Sequence, residues 1–139
     1  MANPRAHHVG VTVTDLERVV EFYQDVLGLA LLDRFDVSGE AFSEAVDVER
    51  ATGTFAHLEG GGARIELVEY DPESEARSEA AVNQPGATHL GLAVDDLDAF
   101  HDDLPPEVET TSEPRTTESG TRILFLRDPE GNLVEVLEA

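Results

Sequence analysis

One stretch of ten residues occurs twice in this chain. Residues 8–17 read His-Val-Gly-Val-Thr-Val-Thr-Asp-Leu-Glu, and residues 89–98 read His-Leu-Gly-Leu-Ala-Val-Asp-Asp-Leu-Asp. The copies align without a gap and share His, Gly, Val, Asp and Leu. A chain of 139 residues is short for two independent domains. The repeat therefore predicts two copies of one small unit within a single domain that spans residues 1–139.

Each copy begins with the pattern of a strand that leads into a helix. Hydrophobic residues alternate with small or polar ones over residues 8–13 and then recur at helical spacing over residues 16–27. Thr14 and Glu17 fit a capping box, and Gly28 fits the C-terminal stop of the helix. The second copy repeats this order with a shorter helix before Pro105 and Pro106.

Strand patterns complete both units. In the first unit, a polar stretch without a clean period, residues 38–50, predicts a flexible loop. The turn over residues 128–132 precedes the last strand of the second unit. The predicted later strands cover residues 29–37, 54–58 and 63–70, then 107–118, 122–127 and 133–138. The predicted fold is α+β, with two tandem β-α-β-β-β modules (about residues 5–72 and 86–139).

Histidine and glutamate recur at matching places in the two modules. Strand alternation places these side chains on the sheet face opposite the valine and leucine run. Imidazole nitrogens and carboxylate oxygens suit a borderline divalent ion such as Ni, Co, Zn, Mn or Fe. Gly10 and Gly91, on the same face, would leave room above the ion. The predicted metal ligands are His8, Glu66, His89 and Glu135.

The remaining histidines lack a repeat partner. The alternative for the four predicted ligands is that they are unrelated polar residues on a solvated sheet face. All four occur at matching positions in the two copies, which favours a metal site. His7 is a competing ligand, but alternation directs it to the opposite face. His57 is expected to line the cleft, His101 to lie on a helix surface, and Tyr70 to contact substrate or pack at the rim.

Composition excludes several functional classes. The chain has no Cys, which removes disulfides, thiolate ligands and a cysteine nucleophile. With 30 acidic residues against nine basic ones, all Arg, the net charge is −21, which argues against nucleic acid and membrane partners. Arg64 and Arg122 could meet an anionic substrate or form ion pairs. No apolar run reaches membrane-spanning length and no signal-peptide pattern is present, so a soluble, cytoplasmic protein is expected.

The acidic residues are spread among periodic apolar segments. This distribution indicates a folded protein and not an acidic disordered tail. In high salt, screening shortens to a few ångströms and dense carboxylates can coexist on one surface. Abundant Asp and Glu without Lys resembles proteins of halophilic archaea.

Several motifs together resemble the vicinal oxygen chelate superfamily, which includes glyoxalase I, methylmalonyl-CoA epimerase, extradiol dioxygenases, and fosfomycin and bleomycin resistance proteins. The resemblance covers nearly the whole chain. It rests on both histidine strands, the Phe22–Leu29 segment, Ile65-Glu66-Leu67, and the turn over residues 128–132 that leads to Glu135.

The resemblance implies that the two modules form curled mixed sheets around a metal cleft. It also implies a homodimer with shared active sites that bind a small-molecule substrate. It implies a glyoxalase I type lyase or isomerase that transfers a proton next to a metal-chelated carbonyl. Glu135 would be the base and Glu66 the second catalytic carboxylate. Thr12 and Tyr70 stand where glyoxalase I commonly has Arg and Asn, so they are candidate substrate-binding positions with His57. The alternatives are a methylmalonyl-CoA-type epimerase, an extradiol dioxygenase and a drug-binding protein of the bleomycin resistance type.

Overall fold

Each half of the chain forms a four-stranded mixed sheet with helices, as seen in a computed structural model that describes residues 2–139. The first unit ends at Ala76, and the second extends from Arg77 to Ala139. Each unit has one strand, one helix and three further strands in chain order, and the first has an additional helix. The predicted α+β class with two tandem modules is confirmed.

The first unit has its first strand at the sheet edge. This strand, β1, is parallel to β4, whereas β4, β3 and β2 are antiparallel neighbours, giving the order β1-β4-β3-β2. The elements are β1 (His8–Thr12), α1 (Leu16–Asp25), β2 (Leu31–Ser38), α2 (Glu40–Val46), β3 (Thr52–Glu59) and β4 (Arg64–Asp71).

The second unit repeats this topology with shorter elements. Its sheet has the order β5-β8-β7-β6, and β5 is parallel to β8. The elements are β5 (His89–Ala93), α3 (Leu97–Asp102), β6 (Arg115–Thr116), β7 (Arg122–Arg127) and β8 (Leu133–Glu138).

Helix α1 is fixed at both ends by local chemistry. The Asp15 side chain accepts a hydrogen bond from the Arg18 backbone N–H at 3.2 Å, so Asp15 is the N-cap and the predicted Thr14 capping box is wrong by one residue. Gly28 follows the helix with φ +74°, as the predicted stop requires. A hydrogen bond from Arg34 on β2 to Glu17 lowers the pKa of Glu17 and raises the pKa of Arg34.

The core of each unit lies on the helix-covered face of its sheet. Helix α1 contacts β3 and β4, and α3 contacts β7 and β8. Burial of one leucine side chain stabilises a fold by about 1.5–3 kcal/mol. The fully buried residues of these faces include Ala56, Leu58, Leu67, Leu124, Leu126, Val134 and Val136.

Three further sequence expectations about the elements differ from the structure. The predicted flexible loop over residues 38–50 contains α2, and Phe42 packs on Phe55 and Tyr70. Helix α2, with seven residues and one anchoring aromatic side chain, is too short to show the hydrophobic period of a helix in the sequence. The strand predicted over residues 107–118 is reduced to β6 and a single bridge at Thr110. Val9, assigned to the core face, is 47% exposed because β1 lies at a sheet edge.

The helices within residues 2–139 are all short. None is long and apolar enough to cross a membrane, and α1, with ten residues, is the longest of them.

Leu67→Ala should lower the free energy of unfolding by about 2–5 kcal/mol, because it opens a cavity between the sheet and α1. Urea unfolding followed by circular dichroism measures this change. Leu32→Ala is the matched control, since Leu32 is 43% exposed, and its effect should stay within about 0.5 kcal/mol. Equal losses in the two variants would contradict the assigned core face.

Candidate functional site

Each unit brings its predicted histidine next to its predicted glutamate. In the first unit, His8 Nε2 lies 3.5 Å from Glu66 Oε2. In the second, His89 Nε2 lies 3.4 Å from Glu135 Oε1. These two His–Glu pairs have nearly the same geometry, because both arise from an edge strand that runs parallel to the strand carrying the glutamate.

A glycine stands beside each glutamate on the neighbouring strand. Gly10 is the register partner of Glu66, and Gly91 is the register partner of Glu135. A Cβ atom at Gly10 would lie 3.5 Å from Glu66 Oε1, and a Cβ atom at Gly91 would have no neighbour within 4 Å. The glycines therefore leave one flank of each carboxylate uncovered. The predicted room above a metal ion stays a prediction.

The two members of each pair differ in exposure. The side chains of His8 and His89 are both 39% exposed, whereas those of Glu66 and Glu135 are 13% and 19% exposed. A recessed carboxylate with a more open imidazole can hold a cation while one side of that cation remains accessible. Within each unit, the pair supplies one nitrogen donor and one oxygen donor.

His57 is the functional candidate whose contacts the sequence did not reveal. It is 5% exposed, and its Nε2 atom lies 2.8 Å from Glu66 Oε2. Its Nδ1 atom lies 3.2 Å from Arg64 Nη1, and its ring meets the Phe35 ring edge to face at 5.1 Å. The signal that could have located it is hairpin register, since His57 lies directly opposite Glu66 on β3. Its substrate-binding role stays a prediction.

In the second unit, Phe125 occupies the position equivalent to His57. Phe125 on β7 lies directly opposite Glu135, as His57 lies opposite Glu66. The Phe125 ring meets the His89 ring at a centroid distance of 5.1 Å. The two His–Glu pairs therefore match each other but have different neighbours.

The other predicted substrate contacts lie on the same face of the first sheet. Thr12 is exposed at the end of β1, and Tyr70 stacks on Phe42 with ring centroids 6.3 Å apart.

His7 does not point away from His8, because it precedes β1 and is not subject to strand alternation. Their Nδ1 atoms are 2.8 Å apart. Arg122 is ion-paired with Asp98 at 2.6 Å.

A tight turn positions the strand that carries Glu135. Asp128 is 5% exposed, and its Oδ1 atom accepts hydrogen bonds from the backbone N–H groups of Glu130 and Asn132 at 2.9 and 3.0 Å. The Asn132 side chain adds bonds to both carboxylate oxygens. Gly131, with φ +86°, closes the turn. Asp128 thus fixes the β7–β8 register that sets Phe125 against Glu135.

A concavity of about 690 Å³ lies elsewhere in the first unit. It is lined by residues of the 38–52 segment, including Glu40, Glu44 and Glu49, and by neither His8 nor Glu66. Four acidic residues on its wall would repel an anionic substrate. We therefore assign the candidate site from the His–Glu pairs and not from this concavity.

Over residues 2–139, no group of three or more His, Cys, Asp or Glu side chains is arranged to bind a metal ion. Each His–Glu pair supplies two donors. The predicted four-residue metal site therefore stays a prediction.

The repeat, the parallel edge strands and the His–Glu pairs agree with a comparison against protein families. Residues 5–136 match the model of the Glyoxalase/Bleomycin resistance protein/Dioxygenase superfamily. The chain belongs to this superfamily. A glyoxalase family protein from Bacillus cereus has a similar structure, with a TM-score of 0.88 at 26% identity over 99% of this chain and 95% of that chain.

Relatives in this superfamily carry names of two reaction types. A 2-epi-5-epi-valiolone epimerase from Actinomyces is 31% identical over 94% of this chain and 77% of its own length. A Vibrio cholerae protein named "Probable lactoylglutathione lyase" is 28% identical over 99% of this chain and 93% of its own length. Glyoxalase I of Leishmania major has a TM-score of 0.68 at 26% identity, covering 98% of this chain and 87% of that one.

Asp128→Ala should lower the free energy of unfolding by about 1–3 kcal/mol, because it leaves partly buried N–H groups without this acceptor. Asp128→Asn keeps one acceptor oxygen, so its loss should be smaller. Denaturant unfolding of both variants measures the difference. If the alanine variant is as stable as the native protein, the turn does not depend on this carboxylate.

Proposed function

We propose that this protein is a metal-dependent enzyme that transfers a proton next to a carbonyl group. The proposed ligands are His8, Glu66, His89 and Glu135. The observation that carries the proposal is the N–O distance in each pair, 3.5 and 3.4 Å. Two donors bound to one ion at about 2.1 Å and separated by about 90–110° lie about 3.0–3.5 Å apart. A hydrogen bond would instead bring these atoms to about 2.7–3.2 Å.

The donor set fits a borderline divalent ion. Two imidazole nitrogens and two carboxylate oxygens suit Ni, Co, Zn, Mn or Fe, and positions remain for substrate oxygens. The open flank beside Gly10 and Gly91 provides access. We propose that both pairs bind the same ion, with the ligands drawn from one chain or from the two chains of a homodimer.

The carboxylates would carry the proton. When bound, the metal ion supplies Lewis-acid polarisation of substrate oxygens, which acidifies the adjacent C–H. Glu135 takes the proton from that carbon. Glu66 is the second catalytic carboxylate, which gives a proton back to the substrate, at the neighbouring carbon in an isomerase or on the opposite face of the same carbon in an epimerase. Partial burial of both groups limits competition from water. One proton is removed from the substrate and one is added, so no oxidant is needed.

The leading substrate class is the adduct of an α-oxoaldehyde with a thiol. The Vibrio cholerae relative named as a lactoylglutathione lyase, which aligns with 99% of this chain, supports this class. Thr12 and Tyr70 are the proposed substrate contacts on the site face. Assays of methylglyoxal with several different thiols would identify the thiol that forms the substrate adduct.

An epimerase is the second candidate. The Actinomyces relative, 31% identical, is named as an epimerase, and epimerisation next to a carbonyl uses the same proton step. Proton NMR in D2O separates the two candidates. An epimerase exchanges the hydrogen at one stereocentre, whereas a glyoxalase-type enzyme moves a hydrogen between adjacent carbons.

Alanine at His8 or His89 should abolish tight metal binding, because each substitution removes one ligand. Metal content after dialysis and titration with Co²⁺ measure the loss, and the native protein should hold about one ion per proposed site. His101→Ala, outside both pairs, is the control and should bind as the native protein does. Native affinity in both ligand variants would rule out the proposed ligand set.

Glu135→Gln should lower kcat at least about 100-fold, because the amide cannot accept the proton. The assay uses methylglyoxal with a thiol, in about 1 M KCl, where the screening length is about 3 Å, to suit the charge of −21 and the proposed halophilic origin. Glu21→Gln, which removes the same charge at an exposed position of α1, is the control and should leave kcat unchanged. Full activity of the Glu135 variant would assign the base elsewhere.

A further inference from the structure

The two glutamates are equivalent in position but not in their neighbours. Glu66 has His57 directly opposite on the adjacent strand, and Glu135 has Phe125 there. Two residues before each glutamate, Arg64 stands in the first unit and Leu133 in the second. A polar pair in one unit is thus replaced by an apolar pair in the other.

The contacts of His57 determine which ring nitrogen carries hydrogen. Arginine has hydrogen-bond donors and no acceptor, so the 3.2 Å contact from Arg64 Nη1 requires an acceptor at His57 Nδ1. The hydrogen therefore resides on Nε2, which donates to Glu66 Oε2 at 2.8 Å. With 5% exposure of His57, water does not compete for this bond.

This bond restrains the Glu66 carboxylate. One lone pair of Oε2 is engaged by His57, and the rotation that would move the carboxylate away from His8 would break the bond. The Phe35 ring packs against the His57 ring and limits its motion. His8 on β1 and His57 on β3 flank Glu66 on β4, and both Nε2 atoms approach Oε2, at 3.5 and 2.8 Å.

We propose that His57, oriented by Arg64, is a positioning residue that holds the Glu66 carboxylate in place, whereas Phe125 offers Glu135 no equivalent hydrogen-bond donor. The inference rests on the proposed function and deepens it. Glu135, proposed as both ligand and base, must change its contacts to take a proton, and a fixed Glu66 keeps the first His–Glu pair in place while it does. The difference between His57 and Phe125 gives different hydrogen-bond partners to two glutamates that the repeat places at equivalent positions.

The test compares His57→Phe, which gives the first unit the side chain of the second, with His57→Gln, which keeps an N–H donor. Co²⁺ titration of the protein, followed by visible absorption and calorimetry, is the first readout. We expect His57→Phe to weaken Co²⁺ binding about 10–100-fold, as loss of a ligand-orienting partner does elsewhere. His57→Gln should stay within about threefold of the native protein. His101→Phe, the same substitution outside the pairs, should have no effect.

Nitrogen-15 NMR of the histidine rings in metal-free protein is the second readout. The native protein should show the Nε2–H tautomer for His57, and Arg64→Leu should weaken that signature while thermal stability is retained. A merely structural role for His57 would lower stability and leave Co²⁺ affinity unchanged in the folded fraction.

The outcomes separate this inference from the proposed function. Failure of the native protein to bind Co²⁺ overturns the proposed function and this inference with it. Binding by the native protein with equal affinity in His57→Phe overturns the inference alone, as does an Nδ1–H tautomer. Weakened binding in His57→Phe with recovery in His57→Gln supports it.

Discussion

The parallel pairing of an edge strand with the last strand of each module is the constraint on which the site depends. It places Gly10 beside Glu66 and Gly91 beside Glu135, with the histidine two residues earlier on the same face. Because side chains alternate along a strand, a shift of one residue would turn the glutamate into the helix-covered core. The buried Val and Leu residues of β4 and β8 oppose such a shift, so packing on one face maintains the donor geometry on the other.

The repeat gives the His–Glu pairs of the two modules the same geometry. The residues beside the glutamates make the surroundings of the two pairs different. Nearly equal N–O distances and equal histidine exposure show that the modules present the same donor geometry. The positions opposite the glutamates differ, with an imidazole in one module and a phenyl ring in the other. A hydrogen bond to a recessed carboxylate restrains it, whereas an aromatic ring packs beside it without a directional bond. Two copies of one unit can thus hold carboxylates with different freedom.

Sequence patterns located most elements within a few residues, because strand and helix periods are properties of the local chain. Residues 122–127 and 133–138 were predicted with the bounds observed for β7 and β8. Helix α2 escaped prediction because it depends on Phe42 contacting Phe55 and Tyr70, which are distant in sequence. The N-cap was misassigned by one residue, since Thr14 and Asp15 are both good capping residues and backbone geometry selects between them.

The sequence by itself determined the superfamily, the two modules and the four residues that form the His–Glu pairs, because a repeat and a two-residue period can be read without coordinates. Tertiary structure alone decided which glutamate has a second imidazole as a partner. The bond between His57 and Glu66 depends on the register of the β3–β4 hairpin and on burial that excludes water. The closeness of His7 to His8 was likewise decided in three dimensions, because the chain before β1 is not held in a pleated strand.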